Sequence, residues 1–269
     1  MLGKALQKQE KRPKVKKIKS SGKEGIIAQI DGSYLPMVRI KEGEGDKRKR
    51  REVNWEEVRL ALAQGKGEAQ SHYGVSFGSV DEAGEVWAQS VQDVGCGVNS
   101  QIHAVGDGAA WIADQSKKQF GKKGTFLLDF FHASEYLGSV AKEKLEENER
   151  KLWLTEQQNL LKNNEFNRVL ESIKVHIDDK NTDCPGFEAY RYLKNRKDQL
   201  NYKGALEKDL PIGSGLIESG HRSVLQARTK IAGASWLPEN AKSMAQLLVL
   251  KKNGEWEDYW KLESIKLAA

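Results

Sequence analysis

Two aspartates, Asp31 and Asp107, each close a short apolar run and are each followed by glycine, in Ile26-Ile27-Ala28-Gln29-Ile30-Asp31-Gly32 and Ile102-His103-Ala104-Val105-Gly106-Asp107-Gly108. Carboxylates at the ends of neighbouring strands point into one crevice, the place where ligands bind in open α/β sheets. Converging carboxylates attract hard cations, and Mg²⁺ takes one or two of them together with water and substrate phosphates. A third carboxylate is needed to hold two ions about 3.5–4 Å apart for in-line attack on a phosphodiester. Glu218, in Gly213-Ser214-Gly215-Leu216-Ile217-Glu218-Ser219-Gly220, is the candidate. Taken singly, an Asp-Gly pair is an ordinary turn former after a strand. Three acids beside basic sequence make nuclease-like chemistry competitive with that reading.

Asp129 also ends an apolar run, Thr125-Phe126-Leu127-Leu128-Asp129, so it is an alternative to Asp107 as the second ligand. His132 is spaced from Asp129 and Glu135 as a metal ligand would be, but if these residues open a helix, capping explains the acids equally well.

Stepping outward, the apolar runs predict strands ending at Asp31, over Tyr34–Ile40, near Val75–Phe77, and before Asp107 and Asp129. Helix-forming composition predicts helices over Trp55–Gln64 and Ala109–Phe120, while Val86–Ser90 suits either state. This alternation predicts an α/β fold with a mixed sheet. Residues 133–206 are long, charged and helix-rich, and read as an all-helical insertion broken near Asn181–Gly186. The chain therefore divides into a basic arm (1–24), a first core segment (25–132), the insertion (133–206) and a return segment (207–269) carrying Glu218, the helix Ala241–Lys252 and a Trp-rich end.

The net charge of +6 is unevenly placed: residues 1–24 hold nine Lys/Arg against Glu10 and Glu24, a net of +7, so the remainder sums to −1. A basic arm on a near-neutral body suits polyanions, since each neutralised phosphate releases counterions; a solvated tail is the plain alternative. The block Lys47-Arg48-Lys49-Arg50-Arg51 adds a possible phosphate contact. After Glu218, Arg222, Gln226 and Lys230 share one flank of a continuous helix, with Arg228 nearby, and this flank suits either a DNA backbone or plain solvation. Trp236 suits base stacking or, more ordinarily, a core position.

Other chemistries fail on inspection. The Gly213–Glu218 run begins like a dinucleotide fingerprint but places Glu where glycine is required. Ser139-Val140-Ala141-Lys142 lacks its partner motifs. Cys96 and Cys184 make neither a disulfide framework nor a zinc finger. No stretch approaches the roughly 20 apolar residues of a spanning helix, mean hydropathy is −0.66, and the N-terminal residues lack a secretory apolar region. A cytoplasmic protein is expected.

The order and spelling of Asp31-Gly32, Val105-Gly106-Asp107-Gly108-Ala109-Ala110-Trp111-Ile112, Leu128-Asp129-Phe130-Phe131-His132-Ala133-Ser134-Glu135-Tyr136-Leu137 and Gly213-Ser214-Gly215-Leu216-Ile217-Glu218-Ser219 resemble bacterial insertion-sequence transposases of the Kra group, relatives of the mutator-like DDE transposases. The resemblance spans roughly residues 25–260. It implies a ribonuclease H-like fold with an all-helical insertion before the last carboxylate, and a triad of Asp31, Asp107 and Glu218 holding two Mg²⁺ ions, with Mn²⁺ as a substitute. It makes Asp129 and His132 the Cys/Asp-x-x-His element that supports the active site and DNA. Strand cleavage and transfer on double-stranded DNA by a homo-oligomer, in a bacterial cytoplasm, are then expected. A catalytically idle DNA-binding remnant, and a host nuclease or resolvase that cleaves without joining, are the alternatives. The N-terminal region that such transposases use for end recognition is here only a short basic arm.

Overall fold

The computed structural model describes residues 21–177 and 183–261. Most of the basic arm and the first residues of the break at 181–186 lie outside the described residues.

Five strands form one mixed sheet in the order β3-β2-β1-β4-β5. They are β1 (Gly25–Ile40), β2 (Arg51–Gly65), β3 (Ser71–Ser76), β4 (Gln101–Gly106) and β5 (Gly124–Leu128). β2 pairs antiparallel with both β1 and β3, β4 runs parallel to β1, and β5 runs parallel to β4. The helices α1 (Val80–Asp93) and α2 (Ala110–Phe120) cover one face. Ile26, Ala28, Ile30, Ala61, Ala63 and Ala104 pack there against Trp87, Ile112 and Phe120.

Two expectations are corrected. Trp55–Gln64 is not a helix but part of β2, the strand between β1 and β3. Its helix-forming residues alternate: Leu60 and Leu62 fill one face while Ala61 and Ala63 fill the other. Burial on both faces and pairing along both edges outweigh a propensity that is only a weak prior. Nor does a strand end at Asp31 and restart at Tyr34; β1 runs without a break through Asp31-Gly32 to Ile40, paired with β2 residue by residue. The Lys41–Arg51 loop is as charged as expected, with a short 3₁₀ turn at Lys47–Arg50 capped by Asp46. Val86–Ser90 is helical, within α1.

Opposite α1 and α2, the second face is covered in two parts. Over β4 and β5 lie α3 (Phe130–Lys144), α4 (Glu147–Lys162), α5 (Phe166–Lys174), α6 (Pro185–Lys194) and α7 (Tyr202–Glu207). Their core includes Val105, Leu127 and Leu128, so the helical block shares its interior with the sheet. Over β1–β3 lie α8 (Gly215–Gly220), a π-helical segment (His221–Gln226), α9 (Ala227–Thr229) and α10 (Pro238–Lys252). Ile217, Val224, Leu225 and Ala245 pack there on Leu35, Leu60 and Leu62. Trp236 extends the sheet locally, its N–H donating to Pro36 O and its carbonyl accepting from Val38 N–H. Among the described residues no helix is long and apolar enough to cross a membrane.

Candidate functional site

Register decides where the acids fall. Gln29 is level with Val105 on β4, and Val105 is level with Leu127 on β5. Continued two residues further, that register puts Asp31 on β1 level with Asp107 and Asp129, which lie just past the ends of β4 and β5, on neighbouring strand paths about 4.8 Å apart. Side chains two apart share a face, so Gln29, Asp31 and Ser33 all point from β1 toward the return segment.

The return segment is hung from the sheet by polar side chains buried in otherwise apolar strands. Gln29 donates from Nε2 to Gly213 O (3.1 Å) and accepts from Ile217 N–H (2.9 Å). His103 bonds Pro211 O through Nε2 (2.8 Å), and burial holds its pKa below the usual value. Asp129 Oδ2 accepts from both the N–H and the hydroxyl of Ser214. Ser214 in turn opens α8, its carbonyl accepting from Ile217 and Glu218 N–H. These contacts set Glu218 opposite Asp31.

Asp31, Gly32, Ser33, Glu218, His221, Arg222 and Gln226 line an open cleft of about 250 Å³. The Asp31 carboxyl is pushed up to about 6, by burial first and then by the charge of Asp107; Glu218 and Glu57 add to the rise, and the Gly32 N–H opposes it. Asp31 thus lies within reach of the charges of two other sequence-predicted acids, Asp107 and Glu218. Among the described residues, no three His, Cys, Asp or Glu side chains gather closely enough to ligate one ion as they stand. The donor chemistry still fits Mg²⁺: Asp31, Asp107 and the exposed Glu218 offer hard oxygens at a point of concentrated negative charge. Asp107 accepts one hydrogen bond, at Oδ1 from Ala109 N–H (2.9 Å).

Asp129 is employed otherwise. It is 3% exposed, and while Oδ2 holds Ser214, Oδ1 accepts from Phe131 and His132 N–H as the N-cap of α3. All four bonds go to the protein's own donors, so the geometry favours Asp107 over Asp129 as a ligand. His132 lies 3.4 Å from Glu135 and edge-on to Tyr136 and Tyr192, and does not line the cleft.

The cationic candidates separate. Arg222 lines the cleft and Lys230 reaches its wall, donating from Nζ to Ser33 Oγ (2.9 Å). The helix is not a continuous α-helix there, because residues 221–226 are π-helical, a local widening frequent at functional sites. Arg228 instead lies over the Trp236 ring (5.9 Å). Trp236 itself is half-buried against the α10 core, donating from Nε1 to Thr229 O. Lys47–Arg51 is at the hairpin tip, nine residues beyond Asp31 along β1, roughly 30 Å at strand rise. Arg48 pairs there with Asp46, and Arg50 caps Lys41 O and Gly45 O.

Sequence reasoning passed over His221. It is 4% exposed, with Nε2 3.2 Å from Asp31 O and 3.6 Å from Asp31 Oδ2. Burial lowers its pKa to about 4, so the ring is neutral at pH 7, and Nδ1 is buried without a partner. Gln29 and His103 were also missed; a polar residue inside an apolar run was the signal.

A sequence profile of the uncharacterised protein family UPF0236 matches residues 42–263. The chain belongs to this family. The UPF0236 match begins after Asp31 and contains Asp107, Asp129, His132 and Glu218. Comparison with curated proteins gives no match for this UPF0236 member.

Proposed function

We propose that this protein is the catalytic core of a DDE transposase with a ribonuclease H-like fold, cutting and joining DNA in a divalent-metal-dependent reaction. The sheet supports the fold reading, with three antiparallel strands followed by two parallel ones in the order β3-β2-β1-β4-β5 and a helical block before the last acid. The observation that carries the function is that Asp31, half-buried on β1, has Asp107 and Glu218 for neighbours, three acids brought together from β1, the end of β4 and α8. Perturbed carboxyls in a cleft mark functional sites.

Asp31, Asp107 and Glu218 would hold two Mg²⁺, or Mn²⁺ in its place, which when bound supply an activated nucleophile and stabilisation of the leaving 3′ oxygen. The chain's own residues do the rest. Arg222 faces the cleft to receive a phosphate, and Lys230 flanks it. His221 stays neutral and braces Asp31 through its carbonyl. The hairpin tip and the arm at 1–24 contribute sequence-independent contacts to double-stranded DNA. Action as a homo-oligomer in a bacterial cytoplasm accompanies this reading.

The test is to incubate the full chain with Mg²⁺ or Mn²⁺ and oligonucleotides carrying the element's ends, following cleavage and strand transfer on gels. Cleavage and joining are expected, with both lost and DNA binding kept in Asp107→Asn. Cleavage that persists in that variant overturns the triad. DNA binding without cleavage by the unaltered chain identifies an idle remnant, and cleavage without joining a resolvase-like nuclease.

A further inference from the structure

The Asp107 turn is gripped by the helical block. Tyr192, near the end of α6, donates its hydroxyl to Asp107 O (2.9 Å). Arg196, just beyond, donates to Gly108 O from Nη2 (2.7 Å) and Nε (3.2 Å), and from Nη1 to Tyr192 O (3.3 Å). Its guanidinium sits 3.9 Å from the centroid of the Tyr192 ring. On the ring's other contacts, Tyr136 stacks at 3.9 Å and 14°, and His132 meets it edge-on at 5.9 Å. Burial holds the Tyr192 phenol well above its usual pKa, so it remains a donor. Gly108 completes the fit: its φ is +83°, and a Cβ there would lie 2.3 Å from the Tyr192 hydroxyl.

We propose that Tyr192 and Arg196 are positioning residues that fix the Asp107 carboxylate level with Asp31, so that the helical block sets the divalent-metal affinity of the site. This rests on the reading of Asp107 as a metal-holding carboxylate. His132 then acts at one remove, by holding Tyr136 and Tyr192 in their stack. Residues that orient ligands typically contribute ten- to a hundredfold in metal affinity.

Tyr192→Phe keeps the ring and its stack and removes only the hydroxyl; Arg196→Lys keeps the charge and loses the paired contact to Gly108, serving if the first variant folds poorly. Mn²⁺ binding to the full chain is followed by electron paramagnetic resonance. Amide hydrogen exchange at Ala109, whose N–H bonds Asp107 Oδ1, is followed without metal. The expected results are a roughly tenfold or greater weakening of Mn²⁺ binding and faster exchange at Ala109. A lowered unfolding midpoint with unchanged Mn²⁺ affinity and unchanged exchange would mean a purely structural role and overturns the proposal. If the unaltered chain binds no Mn²⁺, the metal reading falls, and the metal-free exchange at Ala109 still decides whether the clamp exists.

Discussion

Asp129 binds Ser214 through one carboxylate oxygen and caps α3 with the other, so a single buried side chain ties the end of β5 to the start of the helix carrying Glu218. Removing it leaves the Ser214 and α3 donors unpaired in the interior. Hydrogen bonds to a charged group and a helix cap each contribute about 1–3 kcal/mol. Asp129→Ala is therefore expected to lower stability by about 3 kcal/mol in urea unfolding; a loss below about 1 kcal/mol would contradict this account.

Asp31 makes metal binding pH-dependent. Its carboxyl titrates near 6, so below that pH an incoming cation must displace a proton. Affinity for Mg²⁺ is expected to fall as pH drops from 7 to 5, with proton release on binding measurable by calorimetry in two buffers of different ionisation enthalpy.

The same shifts act on folding with opposite signs. Between pH 6 and its ordinary value near 3.8, Asp31 binds its proton more strongly when folded, so its contribution to stability grows as pH falls. His221, held near 4 against an ordinary 6.5, takes up its proton more readily when unfolded, so its contribution shrinks over the overlapping range. Asp31→Asn should raise the metal-free melting temperature at pH 7 by removing a charge that burial, and then repulsion from Asp107, disfavours, and should abolish the rise that Mg²⁺ gives the unaltered protein. Scanning fluorimetry with and without metal checks both.

Gly108 has a left-handed backbone and the Tyr192 hydroxyl where a side chain would begin. Gly108→Ala is expected to cost at least about 2 kcal/mol, read as a lower urea midpoint.

Replacing Lys47, Lys49 and Arg51 together with Ala should leave stability unchanged and flatten the dependence of DNA affinity on salt, by about one in log–log slope for each lost phosphate contact. Fluorescence anisotropy across a salt series measures this.

Much of the site was legible because strands announce themselves by apolar runs, and Asp107 and Asp129 sit just beyond the ends of two of them while Asp31 closes the apolar run that opens β1. What the sequence hid was long-range. Asp31-Gly32 reads locally as a turn, yet cross-strand pairing with Leu60 and Arg59 carries β1 straight through it. Trp55–Gln64 reads as helix because Leu, Ala, Glu and Gln favour one in isolation; only the neighbours on both edges make it a strand. Asp129 and Asp107 look equivalent until Ser214, 85 residues away from Asp129, takes up one of its oxygens. Tyr192 carries no local signal at all, since its partner is a backbone carbonyl 85 residues distant.

The unbroken course of β1 from Asp31 to the basic tip makes the hairpin a ruler. Its length is set by residue count, because β1 and β2 stay paired residue by residue between the cleft and the tip. Roughly 30 Å approaches one turn of B-DNA, so on the proposed reading the tip would meet phosphates about a turn from the reacting bond. Shortening must take paired residues from both strands, and two from each keeps the tip facing the same way, since side chains alternate between faces along a strand. Excising Arg39-Ile40 together with their partners Arg51-Glu52 would draw the tip back by about 7 Å, and the protected footprint on DNA should contract by about two base pairs.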